Sequence, residues 1–271
     1  MIWFAWSDVI FYRHVLLWIQ PHFAHSRSFI GVPAILAGSV SAYAGAPAMP
    51  TGGHYVAGQG QIGSVNNGQM VIRQNSARGV IDWQGFSIGK DGKVIIQNGA
   101  GATLNRVTSA QMSRIAGTLK STGSTYLINP HGIIISSSGK VITGGGFVAS
   151  TRNITNKNFM GGGTLEASGD SKGDIINKGQ IVARDGNAIL IGHGVSNSGS
   201  VTAKHGVAAL VAGNKVYLRQ EGGPDAVYVA AGNDHGNVTN DGKIRAAAAE
   251  LASQDGNVYA LAGNHKGDPF I

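Results

Sequence analysis

The chain has 271 residues, enough for one sizeable core, with 13% charged residues, 7% aromatics, 42 glycines and a net charge of +7. This composition argues against a helical globule, which needs more Leu, Glu and Lys along amphipathic faces. The scattered Lys and Arg, without interleaved aromatics, argue against a nucleic-acid groove. With no cysteine, a disulfide framework and thiolate metal sites are excluded.

Taken in chain order, the first feature is an apolar stretch, "FIGVPAILAGSVSA" at 29–42, which follows the polar, basic "QPHFAHSRS". It is too short for a permanent bilayer span. It leads into Ala42, Tyr43, Ala44 and then Gly45, the small-x-small pattern of signal-peptidase cleavage after Ala44. Residues 1–44 therefore read as an extended signal peptide that uses the general inner-membrane secretion machinery. The additional "MIWFAWSDVIFYRHVLLWI" before it fits an extended signal, a first membrane-inserting helix or a misassigned start.

From Gly45 onward, short Val/Ile runs alternate with Gly, Asn, Ser and Thr, the composition of strands and turns. Gly58, Gly60 and Gly63 match a dinucleotide-binding glycine pattern, but "SVNNGQMVIRQ" after them is no helix. Gly85, Ser87 and Gly89 match a nucleophile elbow, yet "KDGKVIIQN" continues as turn and strand. In "TYLINPHGIIISSSGK", Thr125–Ile128 and Ile133–Ser136 read as strands joined by the turn Asn129, Pro130, His131 and Gly132. Pro130 fixes one φ and Gly132 supplies the freedom the next position needs.

A twenty-residue repeat follows. "NKGQIVARDGNAILIG" from Asn177 aligns with "NSGSVTAKHGVAALVA" from Asn197, matching Ile181 to Val201 and Leu190 to Leu210. "NDGKIRA" at Asn240 returns 43 residues after Asn197, read as two periods plus three residues. Asp255, Gly256 and Asn257 echo Asp185, Gly186 and Asn187. A unit this short buries its apolar face only by stacking, which predicts an all-β parallel β-helix. Ile181/Val201 and Leu190/Leu210 should then form interior columns. Gly and Asn are expected at corners because they tolerate positive φ, with stacked Asn side chains bonding along the column. An antiparallel sandwich is the structural alternative. The last stretch, "NVYALAGNHKGDPFI", reads as one more coil whose edge a longer product would cover.

Four histidines precede glycine, namely His131, His193, His205 and His235, at offsets that are not multiples of twenty. They read as turn residues, and no metal or cofactor is expected. Asp91, Asp185, Asp241 and Asp255 stand before Gly as turn formers, and Asp82 and Asp174 have no evident acidic partner. A polysaccharide-cleaving β-helix enzyme, which would gather acids on one face, is thus the weaker alternative. Tyr126, Phe147, Tyr217, Tyr228 and Tyr259 read as packing residues, or alternatively as an adhesin's binding surface.

The strings "IDWQGFSIG", "TLNRV", "LINPHGI" and "GGGFVAST" occur in that order between Met70 and Thr155. This region closely resembles the N-terminal secretion domain of two-partner-secretion exoproteins, the filamentous-haemagglutinin or haemagglutination-activity family. The nearest types are the high-molecular-weight adhesins and the haem–haemopexin-binding proteins. The likeness is strong over 55–160 and looser through repeat coils at 161–264. It implies a right-handed parallel β-helix with an N-terminal cap over 45–271. It also implies no catalysis, and export through periplasm and outer membrane of a Gram-negative bacterium. The partner implied is an outer-membrane pore whose POTRA domains bind the chain, with any host-cell contact left to downstream regions. Carried over, the marked residues are Asn105, Arg106 and Val107, and Asn129, Pro130 and Gly132. At His131 this chain departs from the family's more usual Asn.

Overall fold

The computed structural model describes residues 48–219, 227–230, 234–253 and 256–261. The predicted leader, with Ala42, Ala44 and Gly45, lies outside them, as does Asp255.

Two short strands, β1 (His54–Ala57) and β2 (Gly60–Ile62), pair antiparallel with β4 (Arg78–Trp83) and β3 (Gln69–Gln74). They cap the N-terminal end, where the ring of Trp83 lies directly against Gly53 and meets Phe86 edge-on at 5.3 Å. From β3 on, pairing along the solenoid is parallel. β5 (Lys93–Gln97) stacks on β3, and β6 (Ala102–Val107) on β4. Two complete three-strand coils follow. The first is β7 (Ser113–Ile115), β8 (Thr118–Ser121) and β9 (Ser124–Ile128); the second is β10 (Ile133–Ile135), β11 (Lys140–Thr143) and β12 (Phe147–Ser150). After an excursion through helix α1 (Asn156–Gly161) and β13 (Leu165–Ser168), the chain returns as β14 (Ile175–Asn177), β15 (Gln180–Ala183) and β16 (Ala188–Gly192). Next come β17 (Val195–Asn197) and the long β18 (Ser200–Ala212). A second excursion holds β19 (Lys215–Leu218) and β20 (Val227–Val229). β21 (Val238–Asn240) and β22 (Lys243–Ser253) make the last coil, and β23 (Gly256–Leu261) ends the described elements.

Three walls result. One runs β4-β6-β9-β12-β16-β18, the second β3-β5-β8-β11-β15-β18, and the third β7-β10-β14-β17-β21. The predicted register holds: Ile181 lies opposite Val201 and Leu190 opposite Leu210, all four buried in the interior. The column continues from Leu119 through Val141 to Ile181, and from Val201 to Ile244. Parallel strands about 4.8 Å apart place such side chains in van der Waals contact. The asparagine ladder also forms, with Asn177 Nδ2 donating to Asn197 Oδ1 at 2.7 Å and Asn197 Nδ2 to Asn240 Oδ1 at 2.6 Å.

Three expectations change. Asn240 sits directly on Asn197, so the 43-residue step is a single coil with an excursion rather than two periods. The echo at Asp255–Asn257 does not begin another coil, because β23 folds back antiparallel on β22. The recurrent glycines owe their identity to crowding rather than to positive φ. Gly139, Gly179, Gly199 and Gly242 all lie outside the positive-φ set, which among these corners includes Gly132 at 103°. A Cβ on Gly199 would stand 2.1 Å from the carbonyl oxygen of Gly179, and one on Gly242 2.2 Å from that of Gly199. Each of these carbonyls accepts the amide of the following rung, Ser200 and Lys243 at 2.8 and 2.9 Å, and cannot move aside. Gly199→Ala should therefore lower stability by about 1–3 kcal/mol. Gly161→Ala, with nothing within 4 Å, should be neutral or better. Paired urea denaturation curves check this.

One layer has no counterpart in the sequence reading. β13, β19 and β20 form an antiparallel sheet outside the β-helix. With α1 it covers the outward side of the first wall. Val80, Leu104, Tyr126, Val148 and Ile189 form a second buried column there, packed with Phe159, Leu165, Val216 and Leu218. Tyr126 meets Phe159 edge-on at 5.1 Å. The uninterrupted apolar runs "AILIG" and "AALVA" are the trace of this arrangement, since a strand covered on both faces loses its alternation.

Candidate functional site

The 129–132 corner joins the first wall to the third. Asn129 Oδ1 accepts the His131 amide at 2.9 Å, and its carbonyl accepts the Gly132 amide at 3.1 Å, closing the turn. Its Nδ2 donates across to the preceding corner, to Gln111 O and Ser113 Oγ, both at 2.9 Å. The following coil is tied in as well, because Ser171 Oγ donates to Pro130 O and Ile133 N to Asp174 O. One carboxamide thus fixes a turn that three successive coils share. Asn129 is fully buried, Gly132 is buried, Pro130 is half-buried and His131 is exposed.

The second nominated group lies on β6. Asn105 is fully buried, accepting Trp83 Nε1 at 3.1 Å and donating to Tyr126 O at 3.3 Å, and Val107 is buried beside it. Arg106 faces outward, but its guanidinium is committed. It pairs with Asp82 at 2.9 Å and reaches Asn153 Oδ1, Ile154 O and Asn156 Oδ1 at 3.3, 3.4 and 2.6 Å. It pins the start of the first excursion, with Asp82 as its ion-pair partner. Asn105–Val107 and Asn129–Gly132 sit on different rungs, with no contact between them among the described hydrogen bonds.

A charged cluster that sequence reasoning did not find lies further along the same corner. Arg152, fully buried, donates to Asp234, to Gly213 O at 2.6 Å and to Ser171 O. Asp234, also buried, accepts in addition from exposed Lys172 at 3.2 Å and pairs with His193 Nδ1. Residues 152, 171, 213 and 234 are where the two excursions leave and rejoin the coils. A single ion cluster therefore closes both. Burial pushes the Asp234 carboxyl up, but hydrogen bonds from His193 and Lys172 and the Arg152 charge outweigh it and hold it below the usual carboxylate range. Burial lowers the Arg152 guanidinium, opposed by Asp234 and Asp170.

The histidines align better than their offsets suggest. Gly173 lies against His131 and its carbonyl accepts the His193 amide at 3.1 Å, so His131 and His193 share one column two rungs apart. His193 and His235 border a groove of about 330 Å³ with Asp174 and Thr239. His205 lies apart, near Val182 and Lys204. Among the described residues no group of three His, Asp or Glu is placed to hold a metal ion. Asp174 accepts the Gly194 amide at 2.8 Å and so acts as a turn ligand.

Comparison with known proteins places this geometry. The family described as "TPS secretion domain" matches residues 47–268. Two curated relatives are heme/hemopexin-binding proteins of Haemophilus influenzae. One, from strain ATCC 51907 / DSM 11121 / KW20 / Rd, is 31% identical over 186 residues, 65% of this chain and 19% of that protein. The other is 35% identical over 118 residues, 43% of this chain and 13% of that protein. The chain thus spans less than a fifth of either relative's length. The crystal structure of the HMW1 secretion domain from Haemophilus influenzae superposes with a TM-score of 0.63 at 28% identity, covering 75% of this chain and 62% of that one.

Proposed function

We propose a docking-and-seeding role for this chain, which belongs to the TPS secretion domain family. It is the secretion module of an exported exoprotein, and its leader is removed after Ala44. Residues 45–271 then engage the POTRA domains of a cognate outer-membrane transporter. The observation that carries this reading is the 129–132 corner, a rigid landmark held by three coils and presented on a stacked scaffold. Successive coils supply an outward bias without ATP, since each completed coil offers unpaired strand edges to the next by nearest-neighbour stacking. A cysteine-free chain cannot be locked by disulfides before transit.

The test is export. With its transporter co-expressed, the chain should be recovered from the medium; with the transporter deleted, it should remain periplasmic. Release at equal rates in both strains would contradict the proposal.

A second reading, direct binding to host glycans, has one observation in its favour. Tyr217 and Tyr228 face each other on β19 and β20 with ring centres 6.1 Å apart and planes tilted by 33°, Tyr228 being 65% exposed and Lys215 5.5 Å from the Tyr217 ring centre. Binding to a glycan array that Tyr228→Ala abolishes would support it. Haem or hemopexin binding, which the names of the longer relatives state, would reside with this chain only if residues 45–271 alone retained it.

A further inference from the structure

The nominated corner residues are mostly unable to touch a partner. Asn129 has no exposed surface, and both Nδ2 protons and Oδ1 already have protein partners. The Pro130 carbonyl is taken by Ser171 Oγ, and Gly132 is enclosed, its carbonyl accepting the Ser113 amide at 3.0 Å. Asn105 and Val107 are buried, and the Arg106 guanidinium is spent on Asp82 and the 153–156 segment. That leaves the His131 side chain as the fully exposed member of the turn, next to the half-buried Pro130 ring.

Beside it stands a residue that no motif singles out. Met112 is 48% exposed, and its Cε lies 3.7 Å from where a Cβ on Gly132 would be, so the thioether drapes over the turn. The segment bearing Met112 is held by the same carboxamide: Asn129 Nδ2 bonds Gln111 O on one side of it and Ser113 Oγ on the other. A large apolar side chain is thus held half in water at a fixed place on the turn by a fully buried hydrogen-bonding group. It suits an interface, where methionine adapts its three torsions to a partner's pocket and where Met is enriched.

We propose that Met112 and His131 together form the contact element for the transporter's periplasmic domain, and that Asn129 is a positioning residue acting through them. This rests on the transporter-docking reading above. The complementary site on the transporter is an apolar pocket that receives the Met112 thioether, with a hydrogen-bonding group at its rim for the His131 imidazole.

The test uses the full chain against the immobilised periplasmic domain of the cognate transporter, measuring Kd and the unfolding midpoint of each variant. Met112→Glu should weaken binding at least about tenfold, as for a central interface anchor. His131→Ala should weaken it several-fold, both with unchanged midpoints, and Met112→Leu should bind like wild type. Asn129→Ala should lose binding and stability together. Wild-type affinity in Met112→Glu and in the Met112→Ser, His131→Ala double variant would overturn the contact assignment while leaving the docking reading intact. A wild-type chain that fails to bind the periplasmic domain would overturn both.

Discussion

Asp234→Asn should destabilise the fold by about 3–5 kcal/mol, the usual cost of leaving a buried charge without its partner. The substitution keeps the side-chain shape and removes the negative charge facing Arg152, whose guanidinium has no exposed surface. Lys172→Ala should cost less than about 1 kcal/mol, because the Lys172 side chain is 70% exposed and its pairing is screened by water. Urea denaturation of both variants beside wild type is the direct check. The pH dependence follows in sign. The folded carboxyl titrates below its ordinary value of about 3.9, so its contribution is present at neutral pH and is lost as pH falls through the folded pKa. Asp234→Asn should accordingly flatten the acid limb of stability against pH, and losses equal to those of Lys172→Ala would mean the cluster does not bind the excursions together.

Asn129→Ala is the second large effect. It removes two donated bonds and one accepted bond at a position with no solvent access, leaving Gln111 O, Ser113 Oγ and the His131 amide to find other partners. With each orphaned buried group costing about 1–3 kcal/mol and partial relaxation expected, a loss of about 2–4 kcal/mol is predicted. Asn129→Asp should lose at least as much at neutral pH, because the oxygen facing the His131 amide is kept but a carboxylate is buried against the Gln111 carbonyl. Export should fall in parallel with the unfolding midpoint across the two variants. Pulse-chase recovery from the medium, plotted against that midpoint, checks it. Lost export at wild-type stability would instead make Asn129 a contact residue.

How much of this could be read from the chain depended on periodicity. The Ile181/Val201 and Leu190/Leu210 columns and the Asn177–Asn197 ladder were legible because coils without excursions repeat every twenty residues. The Asn240 rung was seen but miscounted, because residues leaving the solenoid between β18 and β21 have no length rule. The earlier excursion, through α1 and β13 between β12 and β14, likewise hid the shared column of His131 and His193. Arg152 and Asp234 are 82 positions apart, and nothing local marks either as half of a pair. The glycine column was noticed for the wrong reason, since a pattern of Gly does not distinguish positive φ from a carbonyl lying where Cβ would be. At the corner the motif drew attention to Asn129, which is buried, and away from Met112, which carries no motif at all.

The interior columns and the fixed corner both require neighbouring coils lying parallel and in one register, and the absence of native cysteine makes that directly measurable. Val182 and Thr202 face each other on adjacent rungs of the second wall. Parallel neighbours about 4.8 Å apart fall within the Cα separation a disulfide spans, whereas a two-residue offset along the strand does not. Under mild oxidation the Val182→Cys, Thr202→Cys chain should close its disulfide nearly completely, and the Val182→Cys, Lys204→Cys chain should stay reduced. Equal closure in both, or preferential closure in the second, would contradict the stacked register and the fixed corner built on it.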